Sequence, residues 1–281
     1  MMPWGVENLT VQERYTLALK AGINLFSGSA DPAQLLATLK ENPDLMPLVD
    51  DSVKRLLLEK FQLGLFENPY VDIEIAEQTV GKEAFLMAAK EAHRKSIVLL
   101  RNENHQSKNL LPLSKETKVY LEINEKPITD SSTLNQLNLV NSPEEADVLL
   151  FWVIPKSKSL FESNRQPISL LLSDNNVDTK HIQEWSNKKP TLLAINFTKP
   201  WVIDEVFNTN STNIKGVLAT FGTTLEALLD IISGQANPQG KMPFSTPRSI
   251  QAVLEQKADL PGFEEPQEQY ALFNCDEGLN Y

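Results

Sequence analysis

The sequence predicts an α/β protein built on a mostly parallel sheet sandwiched by helices, and three observations carry that prediction. Short, nearly unbroken apolar runs recur at 97–100, 119–123, 148–153, 192–197 and 217–221. None alternates polar with apolar residues, which marks strands buried on both faces. Segments of helical or loop character separate them, as a parallel sheet requires. A chain of 281 residues has room for about two domains of this kind.

Taken in order, Thr10 and Glu13 form a capping-box pattern opening a helix with Val11, Tyr15, Ala18 and Leu19 on one face, closed by Gly22. Ile23 to Phe26 reads as a short strand. Asp31-Pro32 starts a second helix with Leu35, Leu36 and Leu39 as its inward stripe. In the next helix Val49, Val53, Leu56, Leu57 and Phe61 recur at helical spacing and predict a buried stripe. Gly64 lies past its end, and Pro69 blocks a restart. Asp72 to Gly81, with Glu74 and Glu77, reads as a solvated connector, so the expected domains are 1–75 and 76–281. The order helix, strand, helix, helix is that of the closing part of a parallel barrel, here with a single strand.

The second domain opens on a helix at 82–95 with Phe85, Ala88, Ala89 and Ala92 as a narrow face. Ser142-Pro143-Glu144-Glu145 reads as a helix start before the 148–153 strand. Further helices are expected around Ile182 to Trp185 and from Leu225 to Ile232, the second capped by Thr223 with Glu226 and ended by Gly234. Asn237 to Pro243 forms a turn before a short terminal strand, and the Asn/Thr/Ser run at 208–213 a surface loop.

Composition excludes several function classes. The balance of 26 basic against 37 acidic residues, a net charge of −11, argues against nucleic-acid or anionic-membrane partners. Cys275 is the only cysteine, and His93, His105 and His181 show no ligand spacing, so neither a disulfide nor a metal site is expected. No cofactor is expected either: no G-x-G pair, G-K-[ST] loop or G-x-S-x-G elbow is present. The opening MMPWGVENLT has no signal-peptide character and no apolar run approaches a membrane span, so the default expectation is cytoplasmic.

Two stretches carry a resemblance. KFQLGLFENPYVD followed by EAHRKSIVLLRNENHQSKNLLPL, with ISGQANPQGKMPFSTPRS near the end, resembles the junction and closing segment of glycoside hydrolase family 3. The resemblance implies the end of a (β/α)8 barrel leading into an α/β sandwich domain. It also implies retaining hydrolysis of β-glucosides, β-xylosides or related oligosaccharides by two carboxyl groups about 5–5.5 Å apart. In relatives a segment like PWGVENLTVQERYTLALKAGINLFSG lies downstream of the nucleophilic aspartate, so that aspartate is expected outside this sequence. The other carboxyl group often comes from a loop of the sandwich domain. Here the loop after the 148–153 strand runs IPKSKSLFESNRQPISLLL, and Glu162 is its only carboxylate. Glu162 is thus the candidate general acid/base, the alternative being an ordinary solvated loop residue. Arg165 is a candidate to hold a sugar hydroxyl, and Trp4 to stack on a sugar ring or to pack beside the first helix.

The tail ALFNCDEGLNY resembles the family's closing Phe-Gly-x-Gly-Leu-x-Tyr, with Cys275 and Asp276 in the Phe-Gly positions. A departure there is expected to change the terminal turn. The expected partners are a carbohydrate substrate and a separate polypeptide supplying the rest of the barrel. The second reading is a noncatalytic carbohydrate-binding or interaction module derived from such an enzyme, and the third an unrelated α/β enzyme.

Overall fold

The computed structural model describes residues 5–28, 30–105, 107–128, 136–156, 168–208, 210, 213–257 and 267–281. They form two units, 1–80 and 81–281.

The first unit is helical among its described residues: α1 (Val11–Lys20), α2 (Ala33–Glu41), α3 (Met46–Gln62) and α4 (Ile73–Thr79). The capping box at Thr10 forms, its hydroxyl accepting from the Glu13 amide while the Glu13 carboxylate accepts from the Thr10 amide. Gly22 and Gly64 take the left-handed conformation past α1 and α3. Three expectations fail in this unit. Ile23 to Phe26 is not a strand, because no other described segment of the unit is extended to pair with it. The α3 stripe is not buried: Val53, Leu57 and Phe61 are exposed, and Ser52 is the buried residue of that helix. Leu36 likewise points to solvent, and Thr38 takes the buried position of α2. The connector at 72–81 folds as α4, because the Asp72 carboxylate accepts from the Ile75 amide and caps it. No residue of α4 is buried.

The second unit opens with α5 (Glu83–Ser96), followed by β1 (Val98–Asn102), the hairpin β2 (Asn104–His105) and β3 (Lys108–Asn109), then β4 (Lys118–Ile123), β5 (Lys126–Pro127), β6 (Asn138–Leu139) and β7 (Val148–Val153). It continues through α6 (Thr179–Ser186), β8 (Thr191–Asn196), β9 (Ile214–Thr220), α7 (Leu225–Ile232), β10 (Thr246–Pro247), α8 (Ile250–Glu255), α9 (Gln267–Tyr270) and β11 (Ala271–Phe273). The sheet has the order β1-β9-β8-β7-β4-β5, with β6 beside β4. β4, β7, β8 and β9 run parallel, whereas β1 and β5 are antiparallel to their neighbours. The sheet is therefore mixed, with the expected parallel core.

Every residue of β7 and β8 is buried, as unbroken apolar runs require when both faces are covered. One face packs Leu149, Phe151, Leu193 and Ile195 against Ile182 of α6 and against Trp201, Ile203 and Phe207. The other packs Val148, Leu150, Leu192 and Leu218 against Leu228, Leu229, Ile231 and Ile232 of α7 and against Leu110 to Leu113.

Three local readings change here. Ser142 to Glu145 forms a turn rather than a helix, and β7 begins three residues later. The cap of α7 is Thr224, whose hydroxyl accepts from the Ala227 amide, while the Thr223 hydroxyl accepts from the Phe221 amide. The Phe85, Ala88, Ala89, Ala92 face of α5 is exposed. α5 instead grips α7 by polar groups, Lys90 to Glu226 and Arg94 to Asp230.

At the terminal turn a non-glycine residue occupies the left-handed region. Asp276 holds φ at +63° and donates its amide to the Met242 carbonyl at 2.9 Å. Beside it Gly278 packs so closely that a Cβ would stand 2.5 Å from the Gly240 carbonyl oxygen. Gly240 in turn donates to the Ile97 carbonyl at 3.2 Å, and Leu279 donates to Leu99 at 2.7 Å. The tail thus lies along the outer edge of β1.

Candidate functional site

In a sheet of this type, functional groups gather where parallel strands end and loops leave. Glu162 and Arg165 belong to the loop that leaves β7, and both lie outside the described residues, as does Trp4. The two feet of that loop are described, and side chains fasten them. The Asn124 amide donates to the Ile154 carbonyl at 3.0 Å and accepts from the Ile154 amide at 2.7 Å. Asn175, itself buried, donates to the carbonyls of Ser169 and Leu171 at 3.0 and 2.6 Å. Its own carbonyl accepts from the Lys156 amide at 2.9 Å. Departure and return of the loop are therefore tied to β4 and to each other.

The carboxyl ends of the neighbouring strands hold polar groups inside an apolar core. On β4, Glu122 has a side chain only 5% exposed. Its Oε2 accepts from the Tyr120 hydroxyl at 3.1 Å and lies 3.1 Å from Nε2 of His181 on α6. Burial, followed by the charge of Glu122, pushes the Tyr120 phenol up to about 12. The cleft beside them, lined by Glu122, Asn124, Glu125, Trp152 and Asp178, has a volume of about 10 Å³. That is room for a single water and not for a sugar ring. The arrangement pairs carboxylate with imidazole inside the core, and a cleft of this size admits no sugar.

At the ends of β7, β8 and β9 the Trp152 indole donates to the Thr220 hydroxyl at 3.2 Å. The Asn196 side-chain oxygen accepts from the Gly222 amide at 2.7 Å, fixing the turn that follows β9. Phe197, Phe221 and Phe244 meet pairwise at 6.3 Å next to these ends. Sequence reasoning missed Glu122, His181 and the two asparagines. The available signal for Glu122 was a carboxylate inside the apolar run VYLEI, which burial makes costly unless it is partnered. Among the described residues no group of three or more His, Cys, Asp or Glu could hold a metal ion. No described helix is long and apolar enough to cross a membrane.

Fold and edge together describe an α/β domain in which the two ends of the segment following β7 are pinned at the carboxyl edge of the parallel strands. Residues 135–281 match the family model described as the glycosyl hydrolase family 3 C-terminal domain, and the chain belongs to that family. Among curated relatives, a periplasmic beta-glucosidase/beta-xylosidase of Dickeya chrysanthemi is 35% identical over 92% of this chain and 39% of its own length. A probable beta-glucosidase C of Aspergillus flavus is 37% identical over 92% of this chain and 40% of its own. The chain thus spans about 40% of the length of these relatives. Among solved structures, the beta-glucosidase of Listeria innocua in complex with gluconolactone aligns with a TM-score of 0.64 at 19% identity, over 97% of this chain and 44% of that one. A beta-glucosidase from Erythrobacter marinus gives 0.65 at 16% identity, over 97% and 45%. At such identities these structures speak for the fold.

Proposed function

We propose that this chain is the C-terminal part of a retaining β-glycosidase acting on β-glucosides, β-xylosides or related oligosaccharides. In this reading Glu162 is the general acid/base, Arg165 binds a sugar hydroxyl and Trp4 stacks on a sugar ring. The nucleophilic aspartate and the missing barrel strands come from polypeptide outside this sequence, either continuous with it or separate. The observation that carries the proposal is the family match over 135–281 together with relatives named as glucosidases and xylosidases. The fastened feet of the 157–167 loop support it, since an acid/base on a loop must be held in place to reach the glycosidic oxygen.

The test is aryl β-glucoside hydrolysis by the purified chain, alone and mixed with a polypeptide carrying a family barrel and its nucleophile. The expected result is no turnover alone and turnover on reconstitution. Glu162→Gln in the mixture should lower the rate by about 10²–10⁴-fold, with the loss smaller for leaving groups that need no protonation. Turnover by the isolated chain at ordinary enzyme rates overturns the proposal.

A further inference from the structure

A second cleft lies on the opposite edge of the sheet, where β8 and β9 begin. It has a volume of about 200 Å³, and Gln183, Asn187, Asp204, Glu205, Asn208 and Asn213 line it. The residues come from the end of α6, the 204–208 loop and the approach to β9. We propose that this cleft binds one neutral sugar ring as a site of its own, independent of Glu162.

Size and lining both point that way. At about 200 Å³ the cleft is roughly twenty times the cleft beside Glu122 that takes one water, and it has room for a single pyranose. Ordinary ligand pockets are mostly apolar with a few polar groups. This one inverts that ratio, with four carboxamides and two carboxylates among its lining residues. Carboxamides both donate and accept, and carboxylates only accept. Gln183 already donates one N–H to the Glu205 carbonyl and Asn213 one to the Asn187 carbonyl, and each amide has a second N–H and an oxygen to offer a sugar hydroxyl. The cleft is built rather than loose: the Asn213 amide donates to the Asn187 carbonyl at 3.0 Å, and the Glu205 carboxylate accepts from the Ser173 amide at 3.1 Å.

The carboxylates decide between ligand classes. Neither Asp204 nor Glu205 takes part in a described ion pair. Burial, and then the adjacent charge of Glu205, raise the Asp204 carboxyl above its ordinary range. Two like charges side by side repel an anionic ligand. A calcium ion wants six to eight oxygens, and no third carboxylate or histidine joins the pair among the described residues. A vicinal diol offers two O–H donors to one carboxylate and carries no charge to desolvate.

The experiment is an ¹⁵N-edited NMR titration of the chain with D-glucose, D-xylose and, separately, CaCl₂. The expected result is saturable movement of the Gln183, Asn187 and Asn213 side-chain amides with sugar, lost or weakened at least about tenfold in Asp204→Ala. That variant removes a desolvated carboxyl and should stay folded, and Glu205→Gln provides a second reading that leaves the shape intact. Four outcomes overturn the proposal: no saturation with sugar, saturation unchanged in both variants, a response to calcium only, or sugar-induced shifts confined to the carboxyl edge. Because none of these needs turnover, a failed reconstitution of activity and a failed sugar site are told apart.

Discussion

Asp230, with a side chain 3% exposed, is held by Arg94 through Nε at 2.7 Å and through a second nitrogen at 2.6 Å, and by Gln136 at 2.9 Å. Removing one partner of such a pair strands a charge in a place water does not reach. Arg94→Ala should lower the unfolding free energy by about 3–5 kcal/mol, read from urea denaturation. The tyrosines make a second prediction. Burial holds the Tyr120 and Tyr281 phenols at about 12, against 10 in the unfolded chain. Between these two pH values the unfolded state carries fewer protons, so stability should fall as pH rises through that window. Tyr120→Phe and Tyr281→Phe should each flatten the fall. At the terminal turn, Asp276→Gly should be neutral or stabilising by up to about 1 kcal/mol, measured as a rise in Tm. Gly278→Ala should destabilise by about 1–3 kcal/mol, because the backbone of Gly240 cannot move aside. Single residues were the least legible in the sequence. The helix start at Thr223 and Thr224 offers two adjacent hydroxyls, and only packing selects the second.

At the scale of elements, legibility followed burial. The apolar runs at 97–100, 119–123, 148–153, 192–197 and 217–221 needed no knowledge of neighbours, because strands buried on both faces are apolar throughout. The segment Ile23 to Phe26 has the same character and stays unpaired, since a strand is defined by its partner and this unit has none among its described residues. The stripes of α2 and α3 have the period of buried faces, yet Leu36, Val53, Leu57 and Phe61 remain exposed. Tyr70, Val71, Ile73, Ile75 and Val80, in and around α4, are exposed as well. So many exposed large apolar side chains fit the proposal that further polypeptide covers this unit. Residues 1–60 should therefore show fast amide exchange in the isolated chain and slow exchange once a barrel polypeptide is added. Uniform protection in the chain alone would contradict this.

Across the whole molecule, the sequence disclosed the architecture more readily than the working groups. A parallel core can be read from composition along the chain, whereas the pairing of Glu122 with His181 joins residues 59 positions apart and no local pattern announces it. The pins at Asn124 and Asn175 are equally silent, because asparagine in a loop has many uses.

The seating of the tail against β1 bears on synthesis. β1 finds its ladder partner in β9, whose first residue lies 112 positions beyond the last of β1 (214 − 102), and the outer side of β1 meets Leu279. During synthesis that strand would stay half-satisfied until the segment carrying Leu279 had emerged to pair with Leu99. Such late closure, slow by its long-range pairing, leaves a nascent intermediate with an open β-edge, the kind of species that chaperones attend.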